Sequence, residues 1–174
     1  MYRLSTAVYG PPASTAGWTW IGDERIAIGA LPLPGDLAGL AEDGVTHVVN
    51  CRARLQNVIS QDLWVQRTLL GPERVGRAPM WDTGHRQAPW KWAPAACFAA
   101  DILAADPTSR VLIHCQQGRR RSALVAYAVL RLRGHASDAA ARLILEHRPV
   151  TRIVPAYRAS VERWLGRLPE SALP

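Results

Sequence analysis

One stretch, residues 110–124, constrains this chain more than any other, because it reads as a strand, a polar loop and a helix start. The apolar run at 111–113 predicts a strand that is buried on both faces of a sheet. Apolar residues then recur at helical spacing over 124–132, and Gly134 is expected to end that helix. Cys115 would face the amino terminus of the helix, whose free N–H groups favour a thiolate and also bind tetrahedral oxyanions.

The spacing within the loop makes the chemistry more specific. Five residues separate Cys115 from Arg121, which lets the backbone curl so that successive N–H groups point at one phosphate. The guanidinium of Arg121 could then grip two phosphate oxygens at once. The pattern His114-Cys115-x5-Arg121-Ser122 resembles the signature of the cysteine-dependent protein tyrosine phosphatases. The flanking strand and helix are most similar to their small dual-specificity branch.

An earlier stretch, residues 25–51, extends the resemblance. It reads as a strand, a short helix with Asp36 as its expected N-cap, and a second buried strand. The Gly-Val-Thr-His-Val run that begins at Gly44 is similar to a run that precedes the core in the dual-specificity family. The order strand, helix, strand implies a parallel, right-handed crossover. We judge the resemblance to cover roughly residues 18–168, about the length of one domain.

These patterns predict a single α/β domain. Its centre would be a mostly parallel sheet of four or five strands flanked by helices, with the Cys-x5-Arg loop between a strand and a helix. Residues 1–17 would form an N-terminal arm, and residues 18–174 a dual-specificity-phosphatase-like catalytic domain. The remaining expected elements are edge residues Trp18 and Trp20, a helix over 57–66, an edge strand near 77–81, a helix with Pro94 in its first turn, and helices capped by Ser137 and started by Pro155.

Charge and composition limit the classes of partner. The net charge of +7 and the pI near 10.1 favour anionic partners, and a weak contact with anionic lipid is compatible with them. No apolar run approaches the roughly 18 residues that a membrane span needs. Nucleic acid is not expected, because the chain shows neither a basic helix nor an aromatic stacking platform. The three cysteines fit neither a disulfide framework nor a zinc site, so we expect a cytoplasmic protein without cofactor or metal.

Hydrolysis by such a loop also needs a proton donor for the leaving oxygen. Asp82 is the leading candidate, because it ends a predicted strand and is followed by Thr83, as the resemblance implies for the acid loop. His85 is the weaker alternative. Asp62, Asp101 and Asp106 are placed less well. Low-molecular-weight phosphatases and arsenate reductases share the Cys-x5-Arg loop but carry the acid downstream of it, the reverse of the order here.

The other loop residues have assignable roles. Ser122 could donate to the leaving thiolate, cap the helix, or do both. His114 is expected to brace the loop rather than act as a base. The phosphate would be held by the loop from 116 to 121, comprising Gln116, Gln117, Gly118, Arg119, Arg120 and Arg121.

Two departures from the family pattern leave the substrate open. Gln117 stands where a small residue is common, and Arg119 and Arg120 make the loop more cationic than most. A cationic rim would suit a polyanion, although arginines in loops also commonly face solvent or pair with acids.

Two roles are open for several other side chains. Cys51 could lie near the loop and form a protective disulfide with Cys115, as in some relatives, or be a buried inert thiol. Cys97 is expected in the core. Trp90 and Trp92 could line the pocket or simply pack.

The favoured function is a phosphatase that hydrolyses phosphate monoesters through a phosphocysteine. Its substrate is expected to be protein phosphotyrosine, with phosphoserine and phosphothreonine as an extension. One alternative is a phosphoinositide or phospholipid-headgroup phosphatase with the same site. An alternative of another class is a non-catalytic phosphate-binding interaction module.

Overall fold

A five-stranded sheet forms the centre of the computed structural model, which describes residues 17–169. The strand order is β1-β2-β5-β3-β4, and only the β1–β2 pair is antiparallel. This confirms the expected mostly parallel α/β sheet. The proposed arm, 1–17, lies almost wholly outside the described residues. The strands are β1 (Trp18–Trp20), β2 (Ile26–Gly29), β3 (His47–Asn50), β4 (Val75–Arg77) and β5 (Val111–His114).

Helices cover both faces of the sheet. They are α1 (Leu37–Glu42), α2 (Arg54–Ser60), α3 (Asp62–Leu70), α4 (Pro89–Ala105), α5 (Arg121–Leu132), α6 (Ser137–His147) and α7 (Pro155–Leu165). Alternate strand residues point to opposite faces, so Val111 and Ile113 pack with α4–α7, while Leu112 packs on the other side with Leu40 of α1. The helix after the loop, α5, is buried along ten of its residues because the sheet and three helices surround it.

The stretch between β3 and α4 differs most from expectation. The predicted helix over 57–66 is two helices, α2 and α3, because Gln61 adopts a left-handed conformation with φ of 54°. The predicted strand near 77–81 was placed too late, since β4 ends at Arg77. Its edge position, which Pro79 indicated, is confirmed.

Smaller differences concern helix ends. Asp36 does not cap α1 with its side chain; it ends a 3₁₀ turn, and its Oδ2 accepts the N–H of Leu33 at 2.9 Å. The long helix α4 begins at Pro89, ahead of Pro94. Ser137 does not cap α6; the helix begins at Ser137, and its N-cap is Ala136.

The parallel strands determine where a site can form. Because β2, β3, β4 and β5 run in one direction, their carboxyl ends meet at one edge of the sheet. We call this the active edge. Four segments leave it, at residues 30, 51, 78 and 115. Among residues 17–169, no helix is long and apolar enough to cross a bilayer, and no group of three or more His, Cys, Asp or Glu could hold a metal.

Candidate active site

The loop after β5 is fixed on several sides. Gly118 has φ of +64°, and a Cβ there would lie 2.5 Å from the carbonyl oxygen of Gly29, so the loop presses directly on β2. The carbonyl of Gly118 accepts Nε of Arg148 at 3.0 Å, and the carbonyl of Arg119 accepts the N–H of Arg152 at 2.8 Å. Arg148 also donates to Thr19 at 2.8 Å, which ties the loop to β1.

Cys115 lies at the floor of this loop, 2 % exposed. The hydroxyl of Ser122 donates to its Sγ over 3.4 Å. Burial raises the pKa of this thiol, but the Ser122 hydroxyl, the Ser122 and Arg119 N–H groups and the Arg121 charge together lower it below its ordinary value. The strand–loop–helix geometry therefore favours a thiolate at Cys115.

Arg121 is buried beside the thiol and anchored on its outer side. Its Nη1 donates to Oε1 of Gln56 at 2.8 Å and to the carbonyl of Met80 at 3.0 Å. Its buried Nε has no hydrogen-bond partner among residues 17–169. A buried N–H without a partner is costly, so this donor is available to an anion in the loop.

Asp82 faces the loop across a cavity of about 210 Å³, whose lining includes Cys115 and Arg121. The carboxylate is about one-third exposed. Its Oδ1 accepts the hydroxyl of Tyr157 at 2.9 Å and lies 3.4 Å from Nε of Arg120. The same Tyr157 hydroxyl accepts the N–H of Gly84 at 3.1 Å. The acid loop is thus tied to both α7 and the phosphate loop.

His114 is fully buried behind the cysteine. Burial lowers its pKa to about 4, so the ring is neutral at neutral pH. Nε2 of Gln66 donates to Nε2 of His114 over 2.9 Å, because Oε1 of the same amide accepts Nδ2 of Asn50 at 3.2 Å. The ring proton then belongs on Nδ1, which faces the carbonyl of Cys115 at 3.4 Å. This arrangement braces the loop backbone and offers no base to the cavity.

His114 belongs to a buried polar network that no local sequence pattern indicates. Nδ2 of Asn50 donates to Asp62 at 2.8 Å and to Gln66 at 3.2 Å, and Asp62 forms an ion pair with Arg52. Asp62 therefore supports the loop from behind and does not line the cavity.

The other acid candidates lie elsewhere. Asp101 is exposed on α4, and Asp106 binds the hydroxyls of Thr108 and Ser109. His85 is exposed and is not among the residues that line the cavity.

The cysteines outside the loop are free. Burial raises the pKa of Cys51 well above its ordinary value, and a charge on Cys115 raises it further. The N–H of Cys51 donates to the carbonyl of His114 at 2.8 Å, so the Cys51 backbone lies beside the strand end that leads into Cys115. The structure contains no disulfide between them. Cys97 is only partly buried, not in the core as expected.

The other residues that the sequence analysis proposed for the site differ in whether they line the cavity. Gln116, Gln117 and Arg119 are exposed at the mouth of the cavity. Trp92 is buried and packs edge-on against Trp164, with ring centroids 5.2 Å apart. Exposed Trp90 is not part of the cavity lining.

Three supporting contacts were not foreseen: those of Gln56, Arg148 and Tyr157. Each joins the loop or the acid to a residue far away in the chain, and no local pattern marks them. The pairing of Arg120 with Asp82 is one of the two outcomes expected for the loop arginines, which were to face solvent or to pair with an acid.

Comparison with solved structures identifies the fold. The chain has the fold of the small dual-specificity and protein-tyrosine phosphatases. No model of a known protein family matches the sequence, and no curated protein matches it.

Three solved structures illustrate the likeness. PTPMT1 in complex with PI(5)P is 19 % identical over 85 % of this chain and 94 % of its own, with a TM-score of 0.71. A mouse putative dual specificity phosphatase complexed with zinc tungstate is 22 % identical over 97 % and 99 %, with a TM-score of 0.71. A human tyrosine phosphatase-like serine/threonine/tyrosine-interacting protein is 16 % identical over 86 % and 95 %, with a TM-score of 0.66. At these identities the likeness shows the fold alone.

Proposed function

We propose that this chain hydrolyses phosphate monoesters through a phosphocysteine formed on Cys115. One observation carries the proposal: a thiol with a lowered pKa shares a small cavity with Arg121 and with the carboxyl group of Asp82. These are the nucleophile, the anion-binding cation and the proton donor that the reaction requires.

In the first step the thiolate of Cys115 attacks phosphorus, and the bond from phosphorus to the ester oxygen breaks. The free Nε of Arg121 and the loop N–H groups bind the oxygens of the phosphoryl group in transfer. Protonated Asp82 gives its proton to the departing oxygen, so the leaving group departs as an alcohol or phenol. Tyr157 orients the carboxyl group for this transfer.

In the second step water attacks the phosphocysteine. The carboxylate of Asp82 takes a proton from that water, and the sulfur–phosphorus bond breaks. The electron pair returns to sulfur, and the hydroxyl of Ser122 donates to the thiolate as it forms. Phosphate leaves, and the acid is again protonated for the next cycle.

Protein phosphotyrosine is the first candidate substrate, with phosphoserine and phosphothreonine after it. A cavity of about 210 Å³ is smaller than the roughly 300–1,000 Å³ of sites that enclose whole small ligands. It suits a phosphate with part of its ester group, so most of the substrate would remain outside.

A phosphoinositide or phospholipid headgroup is the second candidate. The exposed Arg119 at the cavity mouth favours additional anionic groups on the substrate, and PTPMT1, which shares the fold, is seen with PI(5)P. The presence of both Asp82 and Ser122 around the thiol supports turnover over a module that only binds phosphate.

The proton donor gives the sharpest test. We expect Asp82→Asn to lower kcat by about 100-fold or more on phosphate esters with poor leaving groups, and much less on p-nitrophenyl phosphate. Asp101→Asn, on the exposed face of α4, is the matched control and should leave both rates unchanged. Equal loss on both classes of ester would contradict the role of Asp82.

A panel of substrates tests which class of phosphate ester the protein hydrolyses. Peptides with phosphotyrosine, phosphoserine and phosphothreonine are compared with phosphoinositides by phosphate release. We expect the highest kcat/KM for a phosphotyrosine peptide; a higher value for a phosphoinositide would favour the second candidate. Tight phosphate binding without release from any substrate would indicate the interaction module.

A further inference from the structure

Exposed apolar side chains gather at the active edge. On α2, which follows β3, they are Leu55, Val58 and Ile59. Such clusters on a surface usually mark an interaction site. Because this helix leaves the sheet at the cavity end, its apolar face lies beside the candidate site.

Three exposed tryptophans extend this apolar surface. Trp64 lies in the first turn of α3, Trp81 immediately precedes Asp82, and Trp90 lies in the first turn of α4. Each is exposed by 51–68 %. They belong to three separate segments, so exposed apolar side chains at this end of the molecule are not confined to α2.

Positive charge accompanies these side chains. A groove of about 650 Å³ is lined by Val58, Leu63 and Trp64 together with Arg54 and Arg77. Neither arginine forms an ion pair within residues 17–169. Burial lowers the pKa of Arg77, and the charges of Arg67 and Arg54 lower it further, which shows an excess of positive charge at the groove.

The groove adjoins the catalytic loop. Gln56 lies on α2 between Arg54 and Val58, and its Oε1 binds Arg121 at 2.8 Å. The chain from Arg77 continues to Met80, whose carbonyl binds the same guanidinium. The groove therefore borders the two groups that anchor Arg121.

We propose that α2, the first turn of α3 and the tryptophans at 81 and 90, together the docking face, bind the surface of an anionic phospholipid bilayer. The apolar side chains would enter the interface, where tryptophan is favoured, and Arg54 and Arg77 would meet lipid phosphates. A broad apolar surface with unpaired arginines complements a bilayer better than it complements a single peptide. This binding is independent of turnover and of the proposed reaction.

The test is co-sedimentation of the full chain with vesicles of phosphatidylcholine alone and of phosphatidylcholine with one-third phosphatidylglycerol. We expect binding to the anionic vesicles and little to the neutral ones. Trp64→Glu should weaken it by about tenfold, and Arg54→Gln or Arg77→Gln by about fivefold each.

A matched control lies on the same helix. Leu69 is also exposed, near the opposite end of α3, so Leu69→Glu makes the same charge change outside the docking face. It should leave vesicle binding within about twofold of the wild type, since its charge lies away from the lipid phosphates and the surface potential of the bilayer falls off with distance. Hydrolysis of p-nitrophenyl phosphate in both variants shows that the fold and the cavity are intact.

Three results would overturn the proposal. The first is a wild-type chain that stays in the supernatant with anionic vesicles. The second is equal loss of binding in Leu69→Glu and Trp64→Glu. The third is a Trp64→Glu variant that binds vesicles normally but dephosphorylates a phosphotyrosine protein more slowly in vesicle-free solution, which would assign the face to protein partners. Because co-sedimentation needs no turnover, it can also be run with Cys115→Ser if the proposed function fails.

Discussion

Cys115 and Cys51 are both buried thiols, yet their surroundings move their pKa values in opposite directions. Burial dominates at Cys51 and raises its pKa. At Cys115 the Ser122 hydroxyl, two N–H groups and Arg121 outweigh burial. Donors aimed at sulfur, and not exposure, therefore make a nucleophile in this fold.

Alkylation by iodoacetamide across a pH series tests this difference. Because the pKa of Cys115 is lowered, its thiolate persists to lower pH, and its alkylation midpoint should lie below the ordinary thiol value of 9.0. Ser122→Ala should move the midpoint upward. Cys97 is the internal control, since burial raises its pKa. Coincident midpoints for Cys115 and Cys97 would contradict the assignment.

The conformation of the loop also depends on Gly118. Gly118→Ala would place a Cβ 2.5 Å from the carbonyl oxygen of Gly29 and 2.6 Å from the nitrogen of Ala30. The loop would have to move off β2, so we expect kcat/KM to fall at least about tenfold, as small misplacements of catalytic groups are costly.

The control is Gly134→Ala, measured by urea unfolding and by kcat/KM. Gly134 also has a positive φ, of 90°, but no atom lies within 4 Å of the position that a Cβ would take there. The Gly134→Ala variant should lose about 1–2 kcal/mol of unfolding free energy and keep its activity. Full activity in Gly118→Ala would show that the contact with β2 does not shape the loop.

At the scale of elements, Tyr157 joins α7 to the acid loop. Tyr157→Phe removes the hydrogen bond to Asp82 and the acceptor for Gly84 while keeping the ring. Hydrogen bonds to charged groups contribute about 1.5–3 kcal/mol, so we expect about a tenfold loss of kcat on poor leaving groups and little on p-nitrophenyl phosphate.

Two controls separate positioning from stability. Tyr127→Phe removes a hydroxyl that binds Ser137 and Glu162, away from the cavity, and should alter only the unfolding free energy. In an Asp82→Asn background, Tyr157→Phe should have no further effect on kcat. Additive losses in the double variant would mean that Tyr157 acts other than through Asp82.

The elements that local patterns specify were predictable. The continuous apolar run of β5 predicts a strand buried on both faces, and the helical spacing of α5 predicts a helix; both elements are observed. The break at Gln61 was not predictable. It depends on Asn57, Asp62 and Gln66 turning inward toward Asn50. These are tertiary hydrogen bonds, so no local stretch of the sequence indicates them.

At the scale of the whole molecule, the cavity is assembled from segments distant in the chain. Cys115 and Arg121 share one loop, so their spacing alone predicted their proximity. Asp82 was inferred from order along the chain and from resemblance, and the structure places it at the same cavity. Gln56 and Arg148 could not be inferred, because their roles depend on how helices pack against the loop.

We propose that turnover passes through a phosphoryl group on the sulfur of Cys115. Peptide mass spectrometry of protein acid-quenched during turnover measures this directly. We expect one added phosphoryl group on the peptide that contains Cys115, more of it in Ser122→Ala because the thiolate leaves less readily, and none in Cys115→Ser, which should also be inactive. Turnover by Cys115→Ser, or a wild-type enzyme and a Ser122→Ala variant that both turn over with no label on that peptide, would contradict it.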